Sequence, residues 1–523
     1  MRNPLARPFV CAVLAGTCAL LLPAQVHGQR PAYEELQTFT GVLNHVRMNY
    51  VDSVDYSVLV RAGIEGVLNA LDPHSYFVSR KDWEAQKALE RGEKASVGLS
   101  LIDEDGAITV LGVAPGSPAD RRGIAPGDRV LAVDDTPVAG LRASHVQETL
   151  IGDKGSRLRL TMERGPRLAG DTFTVGLRRR PFDRRVVGVA RMLDGQTGYV
   201  RLDDFLGDAA EQTGDALRGL ERQGARRFVL DLRHNPGGAI TQAVDVASLF
   251  LPKNTLVFST RGRRAAANEE YRTKKNGRYR DAPLIVLIDD ASASAAEAVA
   301  GSLQDHDRAL IVGHRSFGKA LVQAPFLLPH GDVVWLTIAR VVTPSGRVIQ
   351  RPYAGLSGRQ YREFAGTARG AQDDSVYTTD DGRPVHGGGG IAPDVVVGTA
   401  VPVPAWVAAA YADGLLTAMA DSVAAAGVAA TPEAWLARRS DWAERLGAPF
   451  VQRAAAKYHL KLDPDAGLLA WLGNIVARRV AEVAWGTDAQ DMIATSTDPV
   501  IQDALAHFPD LDALLGKPAD GNR

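Results

Sequence analysis

Two short runs, Phe228–Leu232 and Leu284–Ile288, are apolar almost without a break, and each passes through a tight turn into a helical stretch, Ala239–Leu251 and Ala295–Leu303. Runs of that length suit buried strands, and strands alternating with helices from Val186 to about Val397 make this stretch an α/β core. The rest of the chain has a different texture. Leu36, Phe39, Leu43, Val46 and Tyr50 recur at steps of three and four, and a second helical pattern runs from about Asp55 to Leu71, ending at Asp72-Pro73. From Lys94 to about Arg180, β-type runs such as Ala107–Val113, Arg129–Val133 and Arg157–Met162 are punctuated by Gly and Pro turns, as in one compact β module. After Val401 the chain is Ala-rich and helical. Trp406, Trp435, Trp442, Trp471 and Trp485 are spaced through it as core indoles. Residues 361–390 form a polar, Gly-rich excursion from the core.

With 523 residues, 45% of them hydrophobic, the chain can fill several cores, and collagen-like, coiled-coil-only and wholly disordered folds are excluded. Sixty basic residues against 61 acidic leave a net charge of -1. No bulk electrostatic attraction to nucleic acid or anionic lipid follows, and nucleic acid is not an expected partner.

The start of the chain reads as a secretory signal. Arg2 and Arg7 precede an apolar stretch, Phe9–Leu22, and Val26-His27-Gly28 permits cleavage after Gly28. The stretch is shorter than the roughly 20 residues of a spanning helix, with a retained anchor as the alternative. The expected location is periplasmic or otherwise exported, with membrane association left open. Both cysteines, Cys11 and Cys18, lie in this segment, and Thr17 is a poor residue before a lipid-modified cysteine. The mature chain would have neither a cysteine nucleophile nor a thiolate metal site. The expected organisation is multidomain α+β: signal peptide 1–28, N-terminal helical region 29–93, β module 94–182, α/β core 183–400 and C-terminal helical region 401–523.

Chemistry is best placed at the two strand-to-helix turns. Ser294 ends the turn that begins at Asp289 and stands where helix N–H groups can donate to a developing oxyanion. The alternative is an ordinary serine N-cap, and the G-x-S-x-G elbow pattern is absent. Bases nearby in sequence are His306, His314 and Lys319. Lys319, in a loop between two apolar strands, serves as a base only if desolvation lowers its pKa; a solvated turn lysine is the alternative. Gly237 and Gly238 could aim an N–H inward, or simply make a tight turn.

Short blocks follow one another along the chain: Leu71-Asp72-Pro73-His74-Ser75-Tyr76, Gly116-Ser117-Pro118-Ala119, Gly123-Ile124-Ala125-Pro126-Gly127-Asp128, Asp231-Leu232-Arg233-His234-Asn235-Pro236-Gly237-Gly238, Ser292-Ala293-Ser294-Ala295, Gly301 to Asp305, Phe317-Gly318-Lys319, Thr343-Pro344-Ser345-Gly346 and Gly390-Ile391-Ala392-Pro393-Asp394. This ordered series resembles the carboxyl-terminal processing proteases, or tail-specific proteases, secreted serine endopeptidases with a Ser–Lys catalytic pair. The resemblance implies a PDZ domain at 94–182 and a crotonase/ClpP-like α/β serine protease core at 183–400. It also implies Ser294 as nucleophile, Lys319 as base 25 residues later, and Gln323 as the residue orienting the amine. On a strand, positions 319 and 323 would share a face. Ala295, with Gly237 or Gly238, would form the oxyanion hole. The family's usual Ser-Ala-Ser-Glu and Gly-Lys-Gly are altered here at Ala296 and Ala320.

In the β module, Ser96-Val97-Gly98-Leu99 corresponds to a loop that cradles a terminal carboxylate, with a strand edge pairing to the incoming peptide. Val146 and Leu150, four apart on a helix, either line the pocket for the last side chain or pack the core. The resemblance requires neither metal nor organic cofactor. Its partners are proteins or peptides with exposed C-termini, and it allows a regulatory or adaptor protein and a homo-oligomer. Two rivals are a PDZ-bearing Ser–His–Asp protease based on His306 or His314, and a peptide-binding scaffold whose catalytic core has decayed.

Overall fold

A computed structural model describes residues 30–514 except 92, 105–106, 115–116, 125–127, 142, 165–170, 182–184, 355, 357–360, 362–374, 398–403, 405, 408–409 and 411–413. The expected signal at residues 1–28, Gly116, residues 125–127 and part of the polar excursion therefore lie outside the described residues. The chain divides into two compact units, residues 1–72 and 73–523.

The first unit holds α1 (Arg30–Asn49) and α2 (Tyr56–Asn69). Asp55 caps α2, its carboxylate accepting from the Ser57 N–H at 2.8 Å. The Phe39 ring packs over Gly63, its tip 2.6 Å from where a Cβ at that residue would stand. Leu43 and Leu68 are buried, whereas Leu36, Phe39 and Tyr50 stay exposed, so the periodic apolar face is covered only in part.

The second unit begins with β1 (Tyr76–Val78) and α3 (Arg80–Glu90). The β module contains β2 (Leu99–Glu104), β3 (Ala107–Val113), β4 (Arg129–Val133), α4 (Ala143–Thr149), β5 (Arg157–Arg164) and β6 (Asp171–Arg178). Its strands form an antiparallel sheet in the order β2-β3-β4-β5-β6 around a core that includes Val97, Ile108, Val130, Leu160 and Leu177.

The α/β region contains β7 (Val187–Met192), β8 (Thr197–Leu202), α5 (Ala209–Arg222), β9 (Arg227–Asp231), α6 (Ile240–Ala247), β10 (Leu256–Gly262), β11 (Glu270–Arg272), β12 (Leu284–Ile288), α7 (Ala295–Asp305), β13 (Leu310–Gly313), β14 (Leu321–Leu327), β15 (Val333–Val342) and β16 (Val395–Val396). One sheet runs β7-β8-β9-β12-β13-β16, antiparallel at β7/β8 and parallel thereafter. A second is built on the long β15, with β14 along one edge and β1 and β10 along the other. Residues 76–78, grouped with the N-terminal helices by their neighbours in sequence, are thus hydrogen-bonded to residues 333–335.

The unbroken apolarity of the central strands has a direct cause. Phe228, Leu230, Leu284, Val286 and Ile288 face a core that includes Leu217 of α5, Ala243 of α6 and Val299 of α7. Their neighbours Val229, Ile285 and Leu287 face a second core with Ile501, Ala504 and Phe508. Alternate residues of a strand point to opposite faces, and both are covered, each aliphatic side chain contributing about 1.5–3 kcal/mol.

The C-terminal region contains α8 (Leu415–Ala425), α9 (Ala448–Tyr458), α10 (Ala466–Trp485), α11 (Thr487–Thr497) and α12 (Pro499–Ala506). Trp435 and Trp442 are buried in the helical core, with Trp406, Trp471 and Trp485 packed against it. Among the described residues, no helix is long and apolar enough to cross a membrane.

Candidate active site

β9 and β12 lie side by side and parallel, so the turns that follow them leave the sheet together. Buried polar groups tie these turns to each other. Asp289 Oδ1 accepts from the N–H groups of His234 (2.9 Å), Ser292 (3.0 Å) and Ala291 (3.1 Å). The Ser292 hydroxyl donates to the Leu232 carbonyl at 2.8 Å, and the Ala293 N–H to the Asn235 carbonyl at 2.9 Å. His234 Nδ1 lies 2.9 Å from Asp289 Oδ2; this bond raises the imidazole pKa and holds the carboxyl below its usual range against the effect of burial.

Ser294 stands where the second turn meets α7, with φ +56° and ψ −110°. An ordinary N-cap is extended, as Asp55 is at φ −65° and ψ 129°. A non-glycine residue in this region carries strain of about 1–3 kcal/mol and is held by its surroundings, as in a nucleophile elbow. Ala295 follows as the first helical residue, and among the described residues its N–H has no acceptor.

The two glycines differ. A side chain at Gly237 would stand 2.7–2.8 Å from the Ala293 carbonyl, the Ala295 nitrogen and the Ser294 Cβ, so the glycine backbone packs directly on the serine turn. The Gly237 N–H, however, donates to Asn235 Oδ1 at 2.8 Å. Gly238, at φ +151°, packs on the Phe205 backbone, and among the described residues its N–H has no acceptor.

Lys319 and Ser294 line one cavity of about 20 Å³, whose other walls are Ile240, Ala243, Phe258, Ala295, Ala298, Leu321, Val322 and Val341. That is room for about one water-sized group. The apolar walls desolvate the amine and lower its pKa, opposed by the nearby Glu297 carboxylate.

Glu297 joins the two halves of the site. Fully buried on α7, its carboxylate accepts from the backbone N–H groups of Ser294 (2.8 Å), Gly318 (2.6 Å) and Lys319 (2.8 Å) and from the Ser316 hydroxyl (2.5 Å). Burial pushes this carboxyl up, while the four hydrogen bonds pull it down. Sequence reasoning registers Glu297 only as a motif letter. Its signal was present, because Ser294-x-x-Glu297 is capping-box spacing.

Gln323 is arranged differently from the same-face expectation. Lys319 precedes β14, and the register against β15 slips between Val322 and Gln323. The extra residue at this bulge is Ile338 of β15, and since Lys319 lies outside the strand, strand alternation does not relate it to Gln323. The Gln323 amide donates to Thr337 Oγ1 at 3.2 Å. His306 is remote from Ser294: it caps the far end of the eleven-residue α7, roughly 16 Å along the axis. Its ring nitrogens lie 2.7 Å from Asp380 Oδ2 and 2.7 Å from the Leu256 carbonyl. His314 is not among the residues lining the cavity.

In the β module, Gly98 has φ +85°, and its N–H donates to Ser96 Oγ at 3.2 Å. Val97 and Leu99 are buried. Val146 and Leu150 are 1% and 0% exposed and pack in the module's core. Between them, Gln147 bonds to β2: its Oε1 accepts from the Leu101 N–H and its Nε2 donates to the Leu99 carbonyl, both at 2.9 Å. This side chain occupies backbone groups that an added strand would use.

Comparison with known proteins agrees with this architecture. Peptidase family S41 matches residues 196–358, and a PDZ domain matches residues 109–164. The carboxy-terminal-processing protease of Bartonella bacilliformis is 31% identical over 355 residues, 65% of this chain and 79% of that protein. The carboxyl-terminal-processing protease of a Picosynechococcus species is 34% identical over 283 residues, 52% of this chain and 66% of that one. Among solved structures, a photosystem II D1 C-terminal processing protease covers 64% of this chain and 98% of its own, at 26% identity and a TM-score of 0.42. With an S41 region, a PDZ domain and relatives of this kind spanning most of their own length, the chain belongs to the carboxyl-terminal processing proteases, a family of serine peptidases.

Proposed function

We propose that this protease cleaves exported proteins at sites selected by their C-terminal tails, with Ser294 as nucleophile and Lys319 as general base. The observation that carries the reading is the shared cavity: a serine on a strained strand-to-helix turn and a lysine with a lowered pKa line the same small apolar space. Neutral Lys319 takes the proton of Ser294 Oγ as the oxygen attacks the scissile carbonyl. The oxyanion is met by the N–H groups of Ala295 and Gly238, the pair with no internal acceptor among the described residues. The lysine then protonates the leaving amine, and water, activated by the same amine, releases the acyl-enzyme. Gln323 is the proposed orienting residue for the amine, reached by exchanging its Thr337 bond.

The residue 96–99 loop takes the terminal carboxylate, and β2 pairs with the tail once Gln147 yields its edge. The mainly parallel β7–β16 sheet flanked by helices supports a crotonase/ClpP-like core. The pattern of residues 1–28 supports export. The test is cleavage of an unfolded protein by purified variants. Ser294→Ala and Lys319→Ala are each expected to lose roughly 10³-fold or more in kcat with unchanged circular dichroism. Undiminished turnover in either would remove that residue from its role.

A further inference from the structure

A net charge near zero conceals a concentration of positive charge on the PDZ domain. Six arginines, Arg121, Arg122, Arg157, Arg159, Arg178 and Arg180, line one cleft of about 750 Å³ with a single acidic residue, Asp134. Asp134 is engaged, its Oδ1 accepting from the Arg159 N–H at 2.8 Å, and the Arg159 guanidinium pairs with Asp135. Among the described residues, the other five guanidinium groups have no ion-pair or hydrogen-bond partner.

The arrangement is unfavourable for the isolated domain. Arg157 of β5 and Arg178 of β6 are direct cross-strand neighbours, a position where like charges destabilise a sheet. Arg159 faces Gly176, where open space replaces a side chain. Arg121 and Arg122, on the short helical turn 120–122, add two more like charges from a separate segment. Five exposed guanidinium groups gathered at one cleft without internal partners among the described residues leave it open to a counter-charge from outside the fold.

We propose that this cleft binds an acidic segment of a partner polypeptide. Guanidinium forks match carboxylates bidentately, and charges from several segments of chain suit an inserted chain carrying several of them. A bilayer surface fits less well: the site is concave, and its two lining leucines, Leu158 and Leu177, are 2% and 3% exposed, leaving no side chain of theirs to insert. The backbone of Arg180 bonds to the Ser96 carbonyl at 3.4 Å, so the cleft adjoins the proposed carboxylate loop without being part of it.

The test uses the full chain carrying Ser294→Ala and a fluorescent glutamate-rich peptide capped as a C-terminal amide, which the carboxylate loop cannot take. Anisotropy is expected to show binding that weakens as salt rises. The pair Arg157→Ser with Arg178→Ser is expected to weaken it about tenfold while the melting temperature stays level or rises, and Arg121→Ser with Arg122→Ser to weaken it likewise from the other segment. The proposal is overturned if both pairs bind the peptide as well as the parent does. It is equally overturned if phosphatidylglycerol vesicles or inorganic phosphate bind at these arginines and the peptide does not. Neither result bears on Ser294 or Lys319, because no step of the test requires cleavage.

Discussion

At the scale of single residues, the site depends on two opposed effects of burial. Apolar walls depress the Lys319 amine, which favours the uncharged form a base requires, and burial raises the Glu297 carboxyl, which four donors then hold in place. Glu297 touches the backbone on both sides of the cavity, so in the proposed mechanism its contribution is to position Ser294 and Lys319. Glu297→Gln turns an amide NH₂ toward backbone donors, leaving at least one buried group unpaired. It is expected to cost about 1–3 kcal/mol in a denaturant melt and roughly 100-fold in kcat, with KM little changed. A variant with wild-type kcat would mean that the two loops hold their places without it. The strand-to-helix turn that carries Ser294 and the loop between strands that carries Lys319 were legible in the sequence. The strain at Ser294 was not, because it is imposed by Asp289 and Asn235 through contacts between two turns nearly 60 residues apart in sequence.

At the scale of elements, the strands that carry the site were the most legible part. Their apolar runs at 228–232 and 284–288 match β9 and β12 almost residue for residue, because a strand covered on both faces has no polar side to confuse the pattern. Features set by pairing over long distances were hidden. The docking of 76–78 on β15 and the bulge at Val322/Gln323 depend on partners that local periodicity does not register. Gln147 is another such feature, since its role on β2 follows from where α4 lands. Gln147→Leu removes both bonds to the strand edge. Tail peptides ending in a free carboxylate are expected to bind severalfold more tightly in calorimetry, because they no longer displace an internal competitor. Weaker binding would instead make Gln147 a direct contact of the peptide.

At the scale of the whole molecule, the C-terminal helices and the protease sheet form one structure. Asp498 caps α12, accepting from Val500 (2.9 Å) and Ile501 (3.2 Å), and pairs with Arg233 at 2.9 Å. Arg233 opens the loop that carries Gly237 and Gly238, and it is also held by the buried Asp231 at 2.6 Å. Asp498→Ala is expected to destabilise the chain by about 1–2 kcal/mol and to lower kcat severalfold; an unchanged melting temperature would show that the cap and the ion pair contribute nothing. The helical texture after residue 401 was readable, whereas the covering of the sheet by Ile501, Ala504 and Phe508 was not, since an apolar helix face does not name its partner. The most direct measurement of the central claim is the rate of labelling by a fluorophosphonate as a function of pH, read by mass spectrometry of the digested adduct. The expected result is a single adduct on Ser294, forming faster as pH rises through an ionisation below the ordinary lysine value of 10.5, with the rate lost in Lys319→Ala. An adduct on another serine, or unchanged labelling of Lys319→Ala, would contradict it.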